Sequence, residues 1–273
     1  MIFLIWPIWK VPGFQVRHCN SKSKENHMKN IVIAVFVAFA LAGCINGRGS
    51  GTGKASVVVV GVENGFAGKC DGALKDAADM TETLRPYSSN LITLKDKQAT
   101  ASAVISAVEK AVQSDLAIIY FSGHGGSQPS TDAFETDGRD EFICCYDTGV
   151  IDNRIWDIVC KAKGRVFFVF DCCHSETMFR SPGIKFSKKT NNAFKAGTQP
   201  KMLCWSGCPD GSYSYGSALG GEFTTAIRKY ATKDRTYSQV WKKISSDEGL
   251  RLHQTVMSTK LGDFDVDNIK IFR

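Results

Sequence analysis

The 273-residue chain has no CxxC pair, no apolar run of comfortable membrane-spanning length, no compact basic block and no internal repeat. The first absence argues against zinc. The nearest approach, Cys204 and Cys208, has three residues between its members and no matching pair elsewhere. The second concerns residues 31–42, IVIAVFVAFALA, which fall short of the roughly 20 residues that a span needs. The third removes the main reason to expect a nucleic-acid partner. The formal net charge is +7, but the 34 Lys and Arg are spread over several segments. The ten cysteines, including the adjacent pairs Cys144-Cys145 and Cys172-Cys173, show no repeating disulfide framework. They read mainly as buried small apolar residues.

What the N-terminal part does contain is an export pattern. Met28-Lys29-Asn30 precedes the apolar run and Leu41-Ala42-Gly43-Cys44 follows it. A short charged start, an apolar middle and a small-residue cleavage site make a signal segment. The last four residues resemble a bacterial lipobox, which implies that Cys44 is lipidated and becomes the new N-terminus. On that reading residues 1–27 are a non-native extension, 28–44 the lipoprotein-type signal, 45–54 a flexible Gly-rich linker and 55–273 the folded domain. The other reading of 28–44 is an uncleaved anchor. Either way the chain is expected to be membrane-anchored and extracytoplasmic. The eight cysteines beyond Cys44 then have to be buried, or the export reading fails.

From residue 55 onward, β-branched and aromatic runs alternate with helical spacing. Residues 56–62 (SVVVVGV), 90–94, 116–121 (LAIIYF), 165–170 (RVFFVF) and 202–205 read as strands. Residues 71–84, 100–112, 152–161, 223–230 and 237–244 read as helices. Residues 142–145 suit an edge strand or hairpin arm, 123–140 a long loop and 267–272 a last strand. Strand–helix alternation predicts an α/β fold with a mostly parallel sheet covered on both faces. Ligands in such sheets bind beyond the carboxyl ends of the strands.

Two of those ends carry reactive groups. One strand runs into Ser122-Gly123-His124-Gly125-Gly126, another into Asp171-Cys172-Cys173-His174-Ser175. Glycines around a histidine allow unusual backbone and close substrate approach. A thiolate is a strong nucleophile, and an imidazole can shuttle its proton. A lone Gly-His-Gly is usually a solvated loop, and a lone strand-end cysteine is usually packing. Both together, 49 positions apart, point to a Cys–His hydrolytic pair.

YFSGHG and DCCHS resemble the caspase/metacaspase superfamily of cysteine peptidases, the metacaspase branch in particular. A histidine about 50 residues before the cysteine is also that family's spacing. Residues 72–80 (GALKDAADM), 137–141 (DGRDE) and 206–210 (SGCPD) fit in the same order. The resemblance covers roughly residues 55–273. It implies a three-layer αβα sandwich with Cys173 as nucleophile, His124 as general acid/base, and the backbone N–H groups of Gly125 and Cys173 holding the oxyanion. It implies a pocket of Asp76, Ser122 and Asp171 that selects Arg or Lys before the scissile bond. Protein or peptide substrates, a monomer and no cofactor in bond cleavage follow from it as well.

Calcium activation occurs in many metacaspases, and Asp137, Asp140, Glu141 and Asp147 are the acids here that could take part. Arg180, seven residues after Cys173, argues against it because it cannot ligate a hard cation. Glu176 also departs from the glycine usual after His-Ser. Residues 177–199 hold five basic residues and no acid, where an Arg/Lys-specific enzyme could clip itself. The competing readings are a degenerate caspase-fold scaffold and a different envelope cysteine hydrolase, such as a transpeptidase or amidase.

Overall fold

A computed structural model of the chain describes residues 54–130, 138–173, 199–209 and 214–273. Cys44 with the whole leader, Asp137, Glu176, Arg180 and nearly all of 177–199 lie outside them. In chain order the elements begin with β1 (Ala55–Gly61), β2 (Asn64–Gly65), β3 (Gly68–Lys69), α1 (Ala73–Leu84), β4 (Ser88–Lys95), α2 (Ala101–Ala111) and β5 (Leu116–Ser122). Next come β6 (Gly125–Pro129), β7 (Arg139–Cys144), β8 (Gly149–Ile151), α3 (Asp152–Val159), β9 (Arg165–Asp171) and β10 (Lys201–Ser206). The chain ends with β11 (Gly216–Ser217), β12 (Gly220–Gly221), α4 (Glu222–Tyr230), α5 (Tyr237–Ser245), α6 (Glu248–His253) and β13 (Met257–Leu261).

Six strands form the central sheet in the order β13–β10–β9–β5–β1–β4. Every pairing is parallel except that of β13 on β10. The inner strands are apolar through their middles because both faces are covered. Val57 and Val59 of β1, Ile118 and Tyr120 of β5, and Phe167 and Val169 of β9 join one core, with Met80 of α1, Phe223 of α4 and Val240 of α5. The alternate residues Val58, Val60, Ile119, Phe121, Phe168 and Phe170 join the other, with Val104 and Val108 of α2 and Ile155 and Ile158 of α3. This period of two, read against helical stripes at i and i+3 or i+4, is the three-layer αβα sandwich expected from the sequence.

The structure departs from the sequence reading in three places. The first part of the expected 123–140 loop is β6, which pairs with β7 in a separate three-stranded antiparallel sheet. Its sequence, GGSQP, has no apolar alternation, so only the pairing reveals it. The expected last strand at 267–272 is instead a turn with one bridge, Thr236 to Lys270, and Ile271 and Phe272 plug the core. The last strand is β13, at one edge of the sheet and only weakly apolar in sequence. Among the described residues no helix is long and apolar enough to cross a membrane.

Eight cysteines fall within the described residues and all are free thiols. Cys144, Cys145, Cys172, Cys204 and Cys208 are buried, while Cys70, Cys160 and Cys173 are half-buried.

Candidate active site

β5 and β9 lie side by side, and their register pairs Ser122 with Asp171. His124 and Cys173 each follow two residues later, so both leave the same sheet edge next to one another. They line an open cleft of about 220 Å³ together with Asp76, Ser122 and Asp171. The structure thus gathers five residues that the sequence reading had drawn from three separate segments.

His124 is held from two sides. Its carbonyl accepts from the backbone N–H of Cys144 at 2.9 Å, which ties it to β7. Its Nε2 lies 3.0 Å from the carbonyl oxygen of Lys69, at the end of β3. A carbonyl can only accept, so Nε2 carries the proton and Nδ1 presents its lone pair. That tautomer is ready to take a proton.

The two adjacent thiols are sorted by the sheet edge. Cys172 is 2% exposed and belongs to the core beneath α2 and α3. Burial pushes its thiol well above the ordinary range. Cys173 is half-buried and lines the cleft. Burial raises its thiol too, opposed by the backbone N–H of Ser214 and aggravated by the charge of Asp171. Cys173 therefore rests as a thiol and needs a partner to remove its proton.

Gly125, the second residue expected to hold an oxyanion, packs directly on Cys173. A Cβ there would sit 2.1 Å from the Cys173 carbonyl oxygen, so only glycine allows this approach.

Two carboxylates form the floor of the cleft. Asp76, on α1, is 3% exposed. It accepts from the Gly221 backbone N–H at 2.9 and 3.0 Å and from the Ser122 hydroxyl at 2.9 Å. Asp171 is 6% exposed. Its Oδ1 accepts from the Ser214 hydroxyl at 2.5 Å, and its Oδ2 from the Thr224 hydroxyl at 2.7 Å and the Thr224 N–H at 3.1 Å. Thr224 is the third residue of α4, so its N–H is one of the free donors of a helix start.

All these donors are neutral. Among the described residues no Lys, Arg or His pairs with either acid. Burial, then the charge of Asp171, pushes Asp76 up to about 7, against the Gly221 and Ser122 bonds. Burial also raises Asp171, opposed by Ser214 and Thr224. Gly221 leaves the space between them open. A Cβ there would meet Asp171 Oδ2 at 2.2 Å and Asp76 Oδ2 at 3.1 Å.

Ser214, Gly221 and Thr224 were not anticipated, and no sequence signal marks them beyond their place in a Gly- and Ser-rich stretch. Two of the acids considered for calcium are engaged in separate hydrogen bonds. Asp140 accepts from the Asn153 amide at 3.3 Å, and Asp147 accepts from the Ala101 N–H at 2.7 Å, serving the start of α2. Glu141 is buried in β7, and Asp137 lies outside the described residues. Among the described residues no three His, Cys, Asp or Glu side chains are grouped to hold a metal ion.

The caspase domain family matches residues 54–249. The chain is similar to Metacaspase-1 of Emericella nidulans, 28% identical over 216 residues covering 69% of this chain and 52% of that protein. It is similar to Metacaspase-1 of Schizosaccharomyces pombe, 28% identical over 211 residues covering 70% and 47%. The chain spans about half the length of these relatives. In fold it resembles a crystallised protein of Geobacter sulfurreducens, with TM-score 0.60 and 24% identity, covering 78% of this chain and 95% of that one. Caspase-1 of Spodoptera frugiperda superposes with TM-score 0.53 at 12% identity, covering 77% and 88%.

Proposed function

The chain belongs to the caspase domain family, a family of cysteine endopeptidases, and from that premise we propose that it hydrolyses peptide bonds after Arg or Lys, using Cys173 and His124. One observation carries this reading: two buried carboxylates, Asp76 and Asp171, share a cleft with a half-buried thiol, and among the described residues only neutral donors bond them. An anionic, unneutralised pocket is complementary to a guanidinium or an ammonium group. A side chain of that kind in the pocket brings its own carbonyl carbon toward Cys173.

The reaction follows from the tautomer of His124. Nδ1 takes the Cys173 proton, and the thiolate attacks the carbonyl carbon. The N–H groups of Gly125 and Cys173 hold the resulting oxyanion. The imidazolium, still bonded through Nε2 to the Lys69 carbonyl, returns the proton to the leaving amine. Water, deprotonated by the same nitrogen, then hydrolyses the thioester.

Two further elements of the proposal rest on sequence. The basic segment 177–199 is a candidate site of self-cleavage, and lipidation at Cys44 tethers the domain outside the cytoplasm. The central test is a panel of short fluorogenic peptides ending in Arg, Lys or Asp, with and without calcium, using Cys173→Ala as control. Cleavage after Arg and Lys that disappears in the control is expected. Cleavage after Asp alone would overturn the pocket assignment.

A further inference from the structure

Gln254 follows α6 directly and is 7% exposed. It lies past residue 249, where the match to the caspase domain family ends. Its carboxamide is engaged at three points. The oxygen accepts from the Tyr215 backbone N–H at 2.8 Å, and Nε2 donates to the Gly207 carbonyl at 2.7 Å and to the Ser214 hydroxyl oxygen at 3.4 Å. Gly207 comes straight after β10, and Ser214 and Tyr215 come just before β11. One side chain therefore clasps both ends of the segment that leads from the sheet to the cleft wall.

What that segment delivers is specific. The Ser214 hydroxyl spends its single hydrogen on Asp171 Oδ1, so toward Gln254 it can only accept. Ser214 lines the same cleft as Cys173, and its backbone N–H acts to lower the Cys173 thiol, favouring the thiolate. Ser214 thus serves the pocket and the nucleophile at once, and its place depends on the side chain behind it. We propose that Gln254 is a positioning residue of the cleft: by bridging Gly207, Ser214 and Tyr215 it sets Ser214 against both Asp171 and Cys173. The peptide half of this inference rests on the proposed Arg/Lys specificity; the thiol half does not.

The test uses the full chain with Gln254→Met, which keeps the shape and removes all three bonds. Alkylation of Cys173 by iodoacetamide, followed by mass spectrometry across pH, reads the thiol directly. Losing a supporting hydrogen bond should slow alkylation near pH 7 roughly fivefold to tenfold and move the profile to higher pH. The kcat/KM for an Arg peptide should fall by a similar factor or more. Ser214→Ala should then cost less on top of Gln254→Met than on the wild type, because the two act through one bond network.

A merely structural glutamine supplies the control. Gln239 closes the capping box of α5 with Thr236 and makes none of these hydrogen bonds. Gln239→Met should lower the melting temperature and leave the alkylation profile where it is. A Gln254→Met protein with the wild-type alkylation profile and Arg-peptide kcat/KM overturns the inference, whatever its melting temperature. If that variant does not fold, Gln254→Asn, one methylene shorter, carries the same two readouts. If the wild type cleaves no Arg or Lys peptide, the specificity reading falls and alkylation alone decides the role of Gln254.

Discussion

Ser122 and Asp171 are register partners on adjacent parallel strands, and their side chains reach into the same pocket, Ser122 through a hydrogen bond to Asp76. The pairing explains why a histidine and a cysteine 49 positions apart come together. Each lies two residues past a strand end, so sheet register alone aligns them. A parallel sheet opens its carboxyl edge to ligands, and this edge carries a thiol, an imidazole and two acids at once.

The sorting of Cys172 and Cys173 makes the first prediction. Cys172 is packed in the core, whereas Cys173 opens to the cleft. Cys173→Ala should lower kcat by about 10⁴-fold or more, as removal of a covalent nucleophile does. Cys172→Ala should keep kcat within a few-fold while costing roughly 1 kcal/mol of stability for a small buried side chain. Peptide hydrolysis and chemical denaturation of the two variants check this. A dead Cys172→Ala beside an active Cys173→Ala would reverse the assignment.

Asp171 makes the second. Its carboxylate is buried, and among the described residues only neutral donors hold it, so a substrate cation in the pocket would supply a countercharge that they do not. Asp171→Asn keeps the shape but removes that charge. Breaking one side of a buried charge pair costs on the order of 2–5 kcal/mol, so kcat/KM for Arg peptides should fall roughly 10²–10³-fold. Alkylation of Cys173 by a small neutral reagent should change far less, or rise, because Asp171 disfavours the thiolate. Equal losses in both assays would mean that Asp171 holds the fold of the site and not the substrate.

Much of this was legible in the sequence, for physical reasons that also mark the limits. Val57–Val60 and Phe167–Phe170 are unbroken apolar runs because both faces of the inner sheet are covered, so the strands and their ends could be read directly. His124 and a strand-end thiol follow from those ends; the choice of Cys173, like Asp76 and Asp171, follows from the family motifs. Ser214, Gly221, Thr224 and Gln254 could not be read this way. Each acts through hydrogen bonds that leave no mark in periodicity or motif, and Gly221 reaches Asp76 across 145 positions. β6 escaped notice because its pairing uses backbone alone, and Ile271 and Phe272 misled because a core plug and a strand share the same composition.

The third prediction concerns pH. Asp76 is pushed up to about 7 in the folded protein, from 3.8 in the absence of its surroundings. Between those values the native state holds a proton that the unfolded chain has lost. This contribution to stability is fully present below about pH 4 and disappears as pH rises through about 7. Thermal melts at pH 5 and pH 8 should therefore show a larger loss at pH 8 for the wild type than for Asp76→Asn. The pocket gains the negative charge of Asp76 over the same interval, so binding of an Arg-containing inhibitor at pH 6.5 should release a proton. Calorimetry in two buffers of different ionisation enthalpy measures that release, and parallel melting profiles or no release would contradict the reading.

Tyr120 makes the last prediction. Its hydroxyl is fully buried on β5, 2.5 Å from the Thr224 hydroxyl oxygen. Thr224 gives its own hydrogen to Asp171, so Tyr120 must be the donor in the contact between them. Asp171 Oδ2 thus ends a two-step chain that starts in the core. Tyr120→Phe removes the first step without opening a cavity. A neutral hydrogen bond is worth about 1 kcal/mol net, so the expected loss in kcat/KM for Arg peptides is roughly fivefold. The distinguishing feature is its dependence on Asp171: added to Asp171→Asn, the same change should cost almost nothing. A full, additive loss in the double variant would place Tyr120 outside the pocket's network.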